Sequence, residues 1–314
     1  MNSLRDCLSS YLTMRRALGF PLHRPGKALL KFVIFAEERN ALYITTALAL
    51  EWAQMPASSQ PATWAGRLRD VRGFARYMSA IDPRTEVPPA NLLPHSPKRA
   101  RPYIYTDEEI RNLMAAALSL PICPCWPAAS VLKNQTYYAL IGLLAVTGMR
   151  IGEAIGLRIK NVDFAAGVLT VEGAKFGKSR LVPLHTSTLK VLSEYKSHRD
   201  EYLQGCHSDY FFINKVGKSL DQGEVRRTFY RVSRKCGLRG KRAKKGPRIH
   251  DLRHRFAVQT LLLWYRNGDD AERLLPVLST YLGHVHVSDT YWYLTAYPEL
   301  MGHAVKRLQK RWEI

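Results

Sequence analysis

The sequence predicts a mainly α-helical protein that carries one small antiparallel β-sheet. Apolar residues recur at helical spacing along most of the 314 residues. Two short apolar runs, 168–171 and 180–183, flank a turn around Gly177 and are typical of two strands in a hairpin. A proline-rich stretch over 82–105 interrupts the helical pattern in the manner of a linker. We therefore expect a helical first domain and an α+β second domain.

Apolar spacing predicts four helices in the first domain. The first helix begins near Leu4, and the second includes the run Leu29–Phe35. The third covers the apolar run Leu42–Trp52, and the fourth follows Pro61. The fourth helix is apolar on one face, and its other face carries Arg67, Arg69, Arg72 and Arg76. Such a face either follows a phosphate backbone or is simply solvated.

The second domain is expected to open at a capping box formed by Thr106 and Glu109, because the threonine and the glutamate cap each other's backbone amides. We place the first domain at 1–95, the linker at 96–105 and the second domain at 106–314. Helical patterns then cover about 106–119, 134–147, 150–158, 187–204, 222–236, 250–266 and 271–282, and a last amphipathic helix starts at Pro298.

Composition indicates a polyanionic partner. The formal net charge is +21 and the pI is about 9.9, and such an excess of Lys and Arg causes self-repulsion in the absence of an anion. DNA, RNA and an anionic membrane all fit this charge. We find neither an apolar run of transmembrane length nor an apolar signal-peptide core, so we expect a cytoplasmic protein with no membrane partner.

The five cysteines do not predict a metal site or a disulfide framework. Their number is odd and no CxxC pair occurs, while the spacing of Cys123 and Cys125 is wrong for a zinc knuckle. His284 and His286 form an HxH pair without an evident third ligand. We therefore expect no metal site.

Four local patterns bear on chemistry. In TGMRIGEAIGL, Arg150 opens a helix, where a guanidinium suits an anion, although an Arg150–Glu153 pair that only joins two helices is the alternative. In AKFGKSRLVPL, Lys175 lies between the two strands, as many surface lysines do. His250 and Arg253 share one helix face with His254.

The fourth pattern joins a histidine to a tyrosine. Gly283 is expected to end a helix and to leave His284 at its exposed end. Tyr293 follows nine residues later on the next short helix, and Tyr291 lies on a different face because it is two residues away. A lone aromatic residue in such a stretch is more often part of a core than a catalyst.

Taken in order, these patterns resemble the tyrosine recombinases, the family of phage integrases and Xer-type recombinases. The resemblance covers the second domain, and the helical first domain is similar to that family's core-binding (SAM-like) domain. It implies a C-shaped clamp on DNA and six catalytic residues, Arg150, Lys175, His250, Arg253, His284 and Tyr293.

The resemblance also implies the reaction. Tyr293 would attack a scissile phosphate to give a 3′-phosphotyrosyl link, while Arg150, Arg253 and His284 would bind the phosphate oxygens. Lys175 would act as general acid, with Lys178 as the competing choice that the motif spacing disfavours. His250 would either accept the tyrosine proton or hydrogen-bond the phosphate. Neither metal nor cofactor takes part in the implied chemistry.

Basic side chains outside this set are expected to bind the DNA backbone. They are Arg67, Arg72, Arg76, Lys178, Arg180, Lys241, Arg242, Lys244, Lys245 and Arg248. The helix at about 298–314 either caps its own domain or is exchanged between subunits, as in family members that assemble on paired sites. The expected partners are double-stranded DNA with a specific site and a second copy of the chain or a related recombinase, as a dimer on one site and a tetramer in synapsis.

The predicted function is site-specific recombination for integration, excision or transposition of a mobile element. Two alternatives use the same residues or surfaces. A type IB topoisomerase would relax DNA by the first half of the same reaction. A regulator descended from a recombinase would bind DNA without cutting it.

Overall fold

The computed structural model describes residues 3–55, 57–93, 101–172, 179–243 and 245–312. Within these ranges, the side chains of residues 295, 296, 304, 307, 308, 310 and 311 are not described. The chain divides into two compact units, residues 1–100 and residues 101–314.

The N-terminal unit is a bundle of helices around one apolar core. Ser3 caps the first helix by accepting a hydrogen bond from the backbone N–H of Asp6, whose carboxylate in turn accepts one from the N–H of Ser3. Phe32, Trp52 and Phe74 fill the centre of the unit and are almost fully buried. The helices are α1 (Leu4–Ala17), α2 (His23–Glu37), α3 (Thr46–Gln54) and α4 (Pro61–Met78).

The C-terminal unit is mainly helical and holds the sheet. Its first helices are α5 (Asp107–Leu118), α6 (Pro127–Thr147) and α7 (Ile151–Ile155), with a 3-10 turn at Ile159–Asn161. The strands follow as β1 (Val162–Asp163), β2 (Val168–Val171) and β3 (Arg180–Pro183). The remaining helices are α8 (Thr186–Leu203), α9 (Gln222–Lys235), α10 (Asp251–Asn267), α11 (Ala271–Leu282), α12 (Ser288–Ala296) and α13 (Pro298–Trp312).

The three strands form an antiparallel sheet in the order β1-β2-β3. Leu169 of β2 lies opposite Val162 of β1 and Val182 of β3, and all three side chains point into the core. Val171 lies opposite Arg180, so the β2–β3 connection begins and ends beside this pair. Most of that connection, residues 173–178, falls outside the described residues.

Helix α6 is the centre of the C-terminal unit. It is apolar on nearly every side, and it packs against α5, α8 and α10. A second apolar cluster joins α10 to α11, α12 and α13 and includes Leu261, Leu282, Tyr293 and Leu300. The ends of α6 and α11 are therefore held close to the first turn of α10.

The predicted fold class is confirmed, and most predicted elements have the expected bounds. The predicted capping box at Thr106 and Glu109 is present, with both hydrogen bonds formed. The prediction was wrong about the start of α6, which begins at Pro127 rather than near 134 because proline is compatible with the first turn of a helix. Strand β1 was missed because two residues are too short for a periodic signal.

The predicted last helix begins at Pro298, and it packs against α10 and α12 of its own chain. Glu299 accepts a hydrogen bond from Arg266 Nη2 at 2.7 Å, and the ring of His303 stacks on Tyr265. Leu300 is buried, whereas Met301, Val305 and Trp312 stay exposed. Among the described residues, we find no helix whose length and apolarity would suit a lipid bilayer.

Gly148, which ends α6, gives a first testable prediction. Its φ is +60°, and a Cβ placed on it would lie 2.6 Å from Cδ1 of Phe256. Gly148→Ala is therefore expected to lower the free energy of unfolding by about 2 kcal/mol or more, from the left-handed backbone and the overlap with Phe256. Urea denaturation of the purified chain measures this.

Gly152→Ala is the matched control. Gly152 lies in α7, and a Cβ placed on it would meet no atom within 4 Å, so its substitution should leave stability unchanged or raise it by up to about 1 kcal/mol. Equal stability of the two variants would contradict the packing described for Gly148.

Candidate active site

Arg253 lies in the first turn of α10 and reaches the ends of two other helices. Its Nη1 donates to the carbonyl oxygen of Gly148 at 2.8 Å, and its Nη2 donates to that of Leu282 at 2.6 Å. Only 3% of the residue is exposed. Burial lowers the pKa of Arg253 to about 10, which still leaves the guanidinium charged at neutral pH.

Arg150 reaches the same place from the other side. It follows the turn at Gly148 and precedes α7, and its backbone N–H donates to Glu153 Oε2 at 2.9 Å. Its Nη2 donates to the carbonyl oxygen of Gly283 at 2.6 Å. Arg150 and Arg253 thus bind the carbonyls of two consecutive residues, which places both guanidinium groups beside the end of α11.

Gly283 makes this approach possible. It ends α11 with a φ of +68°, as the sequence predicts. A Cβ on Gly283 would lie 3.0 Å from Arg180 Nη1 and 3.2 Å from Arg150 Nη1. A side chain at this position would therefore strain the left-handed backbone and press against the guanidinium groups of both arginines.

Glu153 lies between Arg150 and Arg180. Arg150 Nη1 donates to Oε1 at 2.9 Å, while Arg180 donates from Nη1 to Oε1 at 3.1 Å and from Nη2 to Oε2 at 2.7 Å. Burial alone would raise the pKa of Glu153, but the hydrogen bonds from Arg180 and Arg150 outweigh it and hold the pKa below its ordinary value. The carboxylate is therefore ionised at neutral pH.

His250 immediately precedes α10 and faces the same site. Its ring packs edge-on against that of His254 at a centroid distance of 4.8 Å. Although its outer edge is open to solvent, desolvation of the rest of the ring and the neighbouring Arg253 guanidinium lower the pKa of His250. The neutral imidazole is the form that this position favours.

His284 and Tyr293 face each other across the turn between α11 and α12. His284 Nδ1 lies 2.8 Å from Thr290 Oγ1, and the imidazole and phenol rings are nearly parallel with centroids 6.3 Å apart. Tyr293 is 2% exposed and also contacts His254. Tyr291 is 51% exposed, so the two tyrosines lie on different faces of α12.

The structure thus brings together five of the six predicted catalytic residues, Arg150, His250, Arg253, His284 and Tyr293. Lys175 lies outside the described residues. Two guanidinium groups and two imidazoles in one place have the chemistry to bind an anion with several oxygens, and the phenol beside them has the chemistry of a nucleophile.

The predicted DNA-binding residues have mixed surroundings. Arg76, Lys241, Arg242 and Lys245 are exposed. Arg67 donates to the carbonyl oxygen of Trp52, and Arg72 to those of Pro88 and Pro89. Arg248 is half exposed and bound to Asp251, whereas Arg180 is buried against Glu153. Lys178 and Lys244 lie outside the described residues.

A cavity of about 580 Å³ extends from this site and brings in residues that the sequence analysis missed. Arg150, Glu153 and His250 line one side of it, and Gln222 and Arg226 of α9 line another. Gln222 and Arg226 are four residues apart and both are exposed. The strong amphipathic pattern of α9 could have identified this cationic face.

A metal cluster is not present among the described residues, where no three His, Cys, Asp or Glu side chains come together in a way that could hold an ion. The two histidines of the HxH sequence, His284 and His286, have different surroundings: His286 is exposed, and His284 contacts Thr290.

Several known proteins resemble this chain in amino-acid sequence. Residues 105–299 match the model of the phage integrase family. The integrase/recombinase y4rB of Sinorhizobium fredii is 52% identical over 314 residues, which is 100% of this chain and 99% of that protein. The tyrosine recombinase XerD of Proteus mirabilis is 31% identical over 237 residues, covering 74% of this chain and 67% of XerD.

A solved structure has the same fold. The Tn1549 transposon integrase, in complex with transposon right end DNA, superposes with a TM-score of 0.67 at 16% identity, covering 98% of this chain and 100% of the other.

The lowered pKa of His250 gives a second prediction. In the folded chain its imidazole should titrate with a midpoint below 6.5, whereas in urea it should return to about 6.5. Because protonation then favours the unfolded chain, the stability that His250 contributes is present above about pH 6.5 and is lost as the pH falls below it.

NMR of the histidine ring signals measures the midpoint, with His250→Gln to assign the signal. The same variant should lose less stability than the wild type between about pH 7 and 5. A midpoint above 6.5 in the folded chain would contradict the described surroundings of His250.

Proposed function

The chain belongs to the phage integrase family, and from this membership we propose that Tyr293 is the nucleophile of a metal-independent DNA strand exchange. The family relationship makes the chain a tyrosine-type recombinase, an enzyme that cuts and rejoins DNA. The observation that carries the residue assignment is the convergence of Arg150 and Arg253 on the turn before His284, with Tyr293 stacked on that histidine.

The first step breaks one bond and forms another. The phenolic oxygen of Tyr293 attacks the scissile phosphorus, the bond from phosphorus to the 5′-oxygen breaks, and a 3′-phosphotyrosyl link remains on the enzyme. The 5′-hydroxyl of another DNA end reverses the step. Phosphodiester bonds are conserved in number, so the exchange needs no nucleotide cofactor.

Arg150 and Arg253 stabilise the charge that develops on the nonbridging oxygens. Their planar guanidinium groups match two oxygens at once and remain charged at the working pH. Both Nη groups of Arg253 and Nη2 of Arg150 donate to neutral carbonyl oxygens, whereas Nη1 of Arg150 donates to the Glu153 carboxylate. A phosphate offers charged acceptors, and hydrogen bonds to charged acceptors are stronger. His284 adds a further donor beside them.

Two groups are assigned to proton transfer. A phenol in water has a pKa near 10, so a tyrosine nucleophile must lose its proton as it attacks. His250 is kept neutral by its surroundings and is able to accept a proton. Lys175 is assigned as the acid for the leaving 5′-oxygen from its motif alone.

Tyr293 must become accessible before it reacts. With 2% of the residue exposed, its oxygen does not reach a phosphodiester unless α12 shifts. Helix α13 packs on α12 and α10 and leaves Met301, Val305 and Trp312 exposed on one side. We propose that exchange of α13 between subunits on DNA accompanies this shift, in a dimer on one site and a tetramer in synapsis.

The relatives support a proposal for the cellular role. We propose that the chain acts in the cytoplasm on double-stranded DNA to integrate, excise or transpose a mobile element. The complex of the Tn1549 integrase with a transposon end supports this role. Denaturing capture of the covalent adduct from host cells, followed by sequencing of the bound DNA, identifies the site.

The third prediction concerns the nucleophile. On a nicked duplex built from the captured sequence, Tyr293→Phe should abolish the covalent adduct and leave DNA affinity unchanged, because only the phenolic oxygen is lost. Gel electrophoresis under denaturing conditions measures the adduct. Tyr291→Phe is the matched control and should form the adduct at the wild-type rate. Loss of the adduct in the control alone would assign the reaction to Tyr291.

The fourth prediction concerns the cationic face of α9. Arg226 and Arg150 line the same cavity, and we propose that Arg226 contacts the DNA backbone there. Arg226→Ala should weaken binding about tenfold and reduce the slope of log K against log salt by about one. Arg227→Ala is the control, because Arg227 lies outside the cavity and 3.9 Å from Asp221, and its effect should stay within about twofold. Equal effects of the two variants would exclude a specific role for Arg226.

A further inference from the structure

Arg180 is buried and makes its contacts inside the protein rather than at the surface. Its side chain is 9% exposed, its Nε is buried, and both Nη groups bind the carboxylate of Glu153. Arg180 is also in β3, where the backbone is fixed by pairing with Val171. A guanidinium held in this way is a fixed charge within the active site.

Glu153 is the acceptor that Arg180 shares with Arg150. The carboxylate receives the backbone N–H and Nη1 of Arg150 together with both Nη groups of Arg180. If Arg180 were absent, both carboxylate oxygens would be open to a two-bonded fork with Arg150, which is the strongest geometry for this pair. Arg150 would then be drawn towards Glu153 and away from an incoming phosphate.

The charges of this triad lead to the same conclusion. Arg150, Glu153 and Arg180 together carry one net positive charge, whereas Arg150 and Glu153 alone carry none. All three side chains are partly or fully buried, so the field between them is weakly screened. The positive charge of Arg150 is therefore available to a phosphate only while another cation balances Glu153.

We propose that Arg180 is a positioning residue for the strand-exchange reaction: it binds and neutralises Glu153 and thereby keeps Arg150 directed at the scissile phosphate. The inference rests on the proposed role of Arg150. It also assigns Arg180 a role different from DNA-backbone binding, which its burial disfavours.

The test separates charge from packing. On the nicked duplex, Arg180→Gln, which keeps a hydrogen-bond donor but loses the charge, should slow adduct formation about tenfold to a hundredfold, less than the loss of a direct donor. Arg180→Lys keeps the charge and should recover most of that rate. Adding Glu153→Gln to Arg180→Gln removes the unbalanced carboxylate and should make the double variant at least about threefold faster than Arg180→Gln alone.

A purely structural role gives a different result: Arg180→Gln would lower the melting temperature, the double variant would recover it because no unpaired buried charge remains, and the rate per folded molecule of the double variant would not exceed that of Arg180→Gln. That result, or a wild-type rate for Arg180→Gln, would overturn the proposal. Arg199→Gln is the control for burial: Arg199 is 3% exposed and bound to Asp200 and to the carbonyl of Tyr210. It should lower the melting temperature but leave the rate per folded molecule within about threefold.

Failure of the underlying function is distinguishable from failure of this inference. If Arg150→Gln cuts the nicked duplex at the wild-type rate, the assignment of Arg150 is wrong, and the proposed role of Arg180 is then wrong as well. If Arg150→Gln is inactive and Arg180→Gln is fully active, only the present inference is wrong. Thermal melting of every variant shows which rates refer to folded protein.

Discussion

The active site depends on hydrogen bonds from two arginines to backbone carbonyls at helix ends. Arg253 joins the end of α6 to the end of α11, and Arg150 binds the next carbonyl, that of Gly283. Carbonyls at a helix C-terminus lack partners within the helix, so a cation satisfies them and also meets the negative end of the helix dipole. One set of bonds therefore fixes the turn that carries His284 and holds two guanidinium groups ready for a phosphate.

The sequence predicted the fold well where local signals are strong. Helix α11 ends at Gly283 as expected, and β2 and β3 have the predicted bounds, because glycine caps and short apolar runs are local features. The start of α6 was placed late because Ala128, Ala129 and Ser130 carry no apolar period, although Pro127 is a good first residue of a helix. Strand β1 depends on pairing with β2, a contact that no local pattern records.

The sequence singled out the proposed catalytic residues because they occur in recognisable local patterns, and five of the six lie together in the structure; their hydrogen-bond partners could not be predicted. In the sequence, Arg180 is one more basic residue after a lysine-rich turn, and only the fold shows that its charge is directed at Glu153. Arg226 was not singled out because it belongs to no motif, and its proposed role depends on the cavity that it lines together with His250. Burial and pairing are tertiary facts, and they decide what a charged side chain can bind.

The burial of Tyr293 connects the chemistry to assembly. The ring lies in the apolar cluster that joins α10 to α13, so exposing its oxygen means loosening contacts made by Leu261, Leu282 and Leu300. Burying an apolar side chain contributes about 1.5–3 kcal/mol, and a bound DNA duplex with a second subunit is able to replace such contacts. In the proposed mechanism, burial in this core keeps the nucleophile from reacting before the DNA site is occupied. The packing that buries Tyr293 would then make strand cleavage depend on assembly at that site.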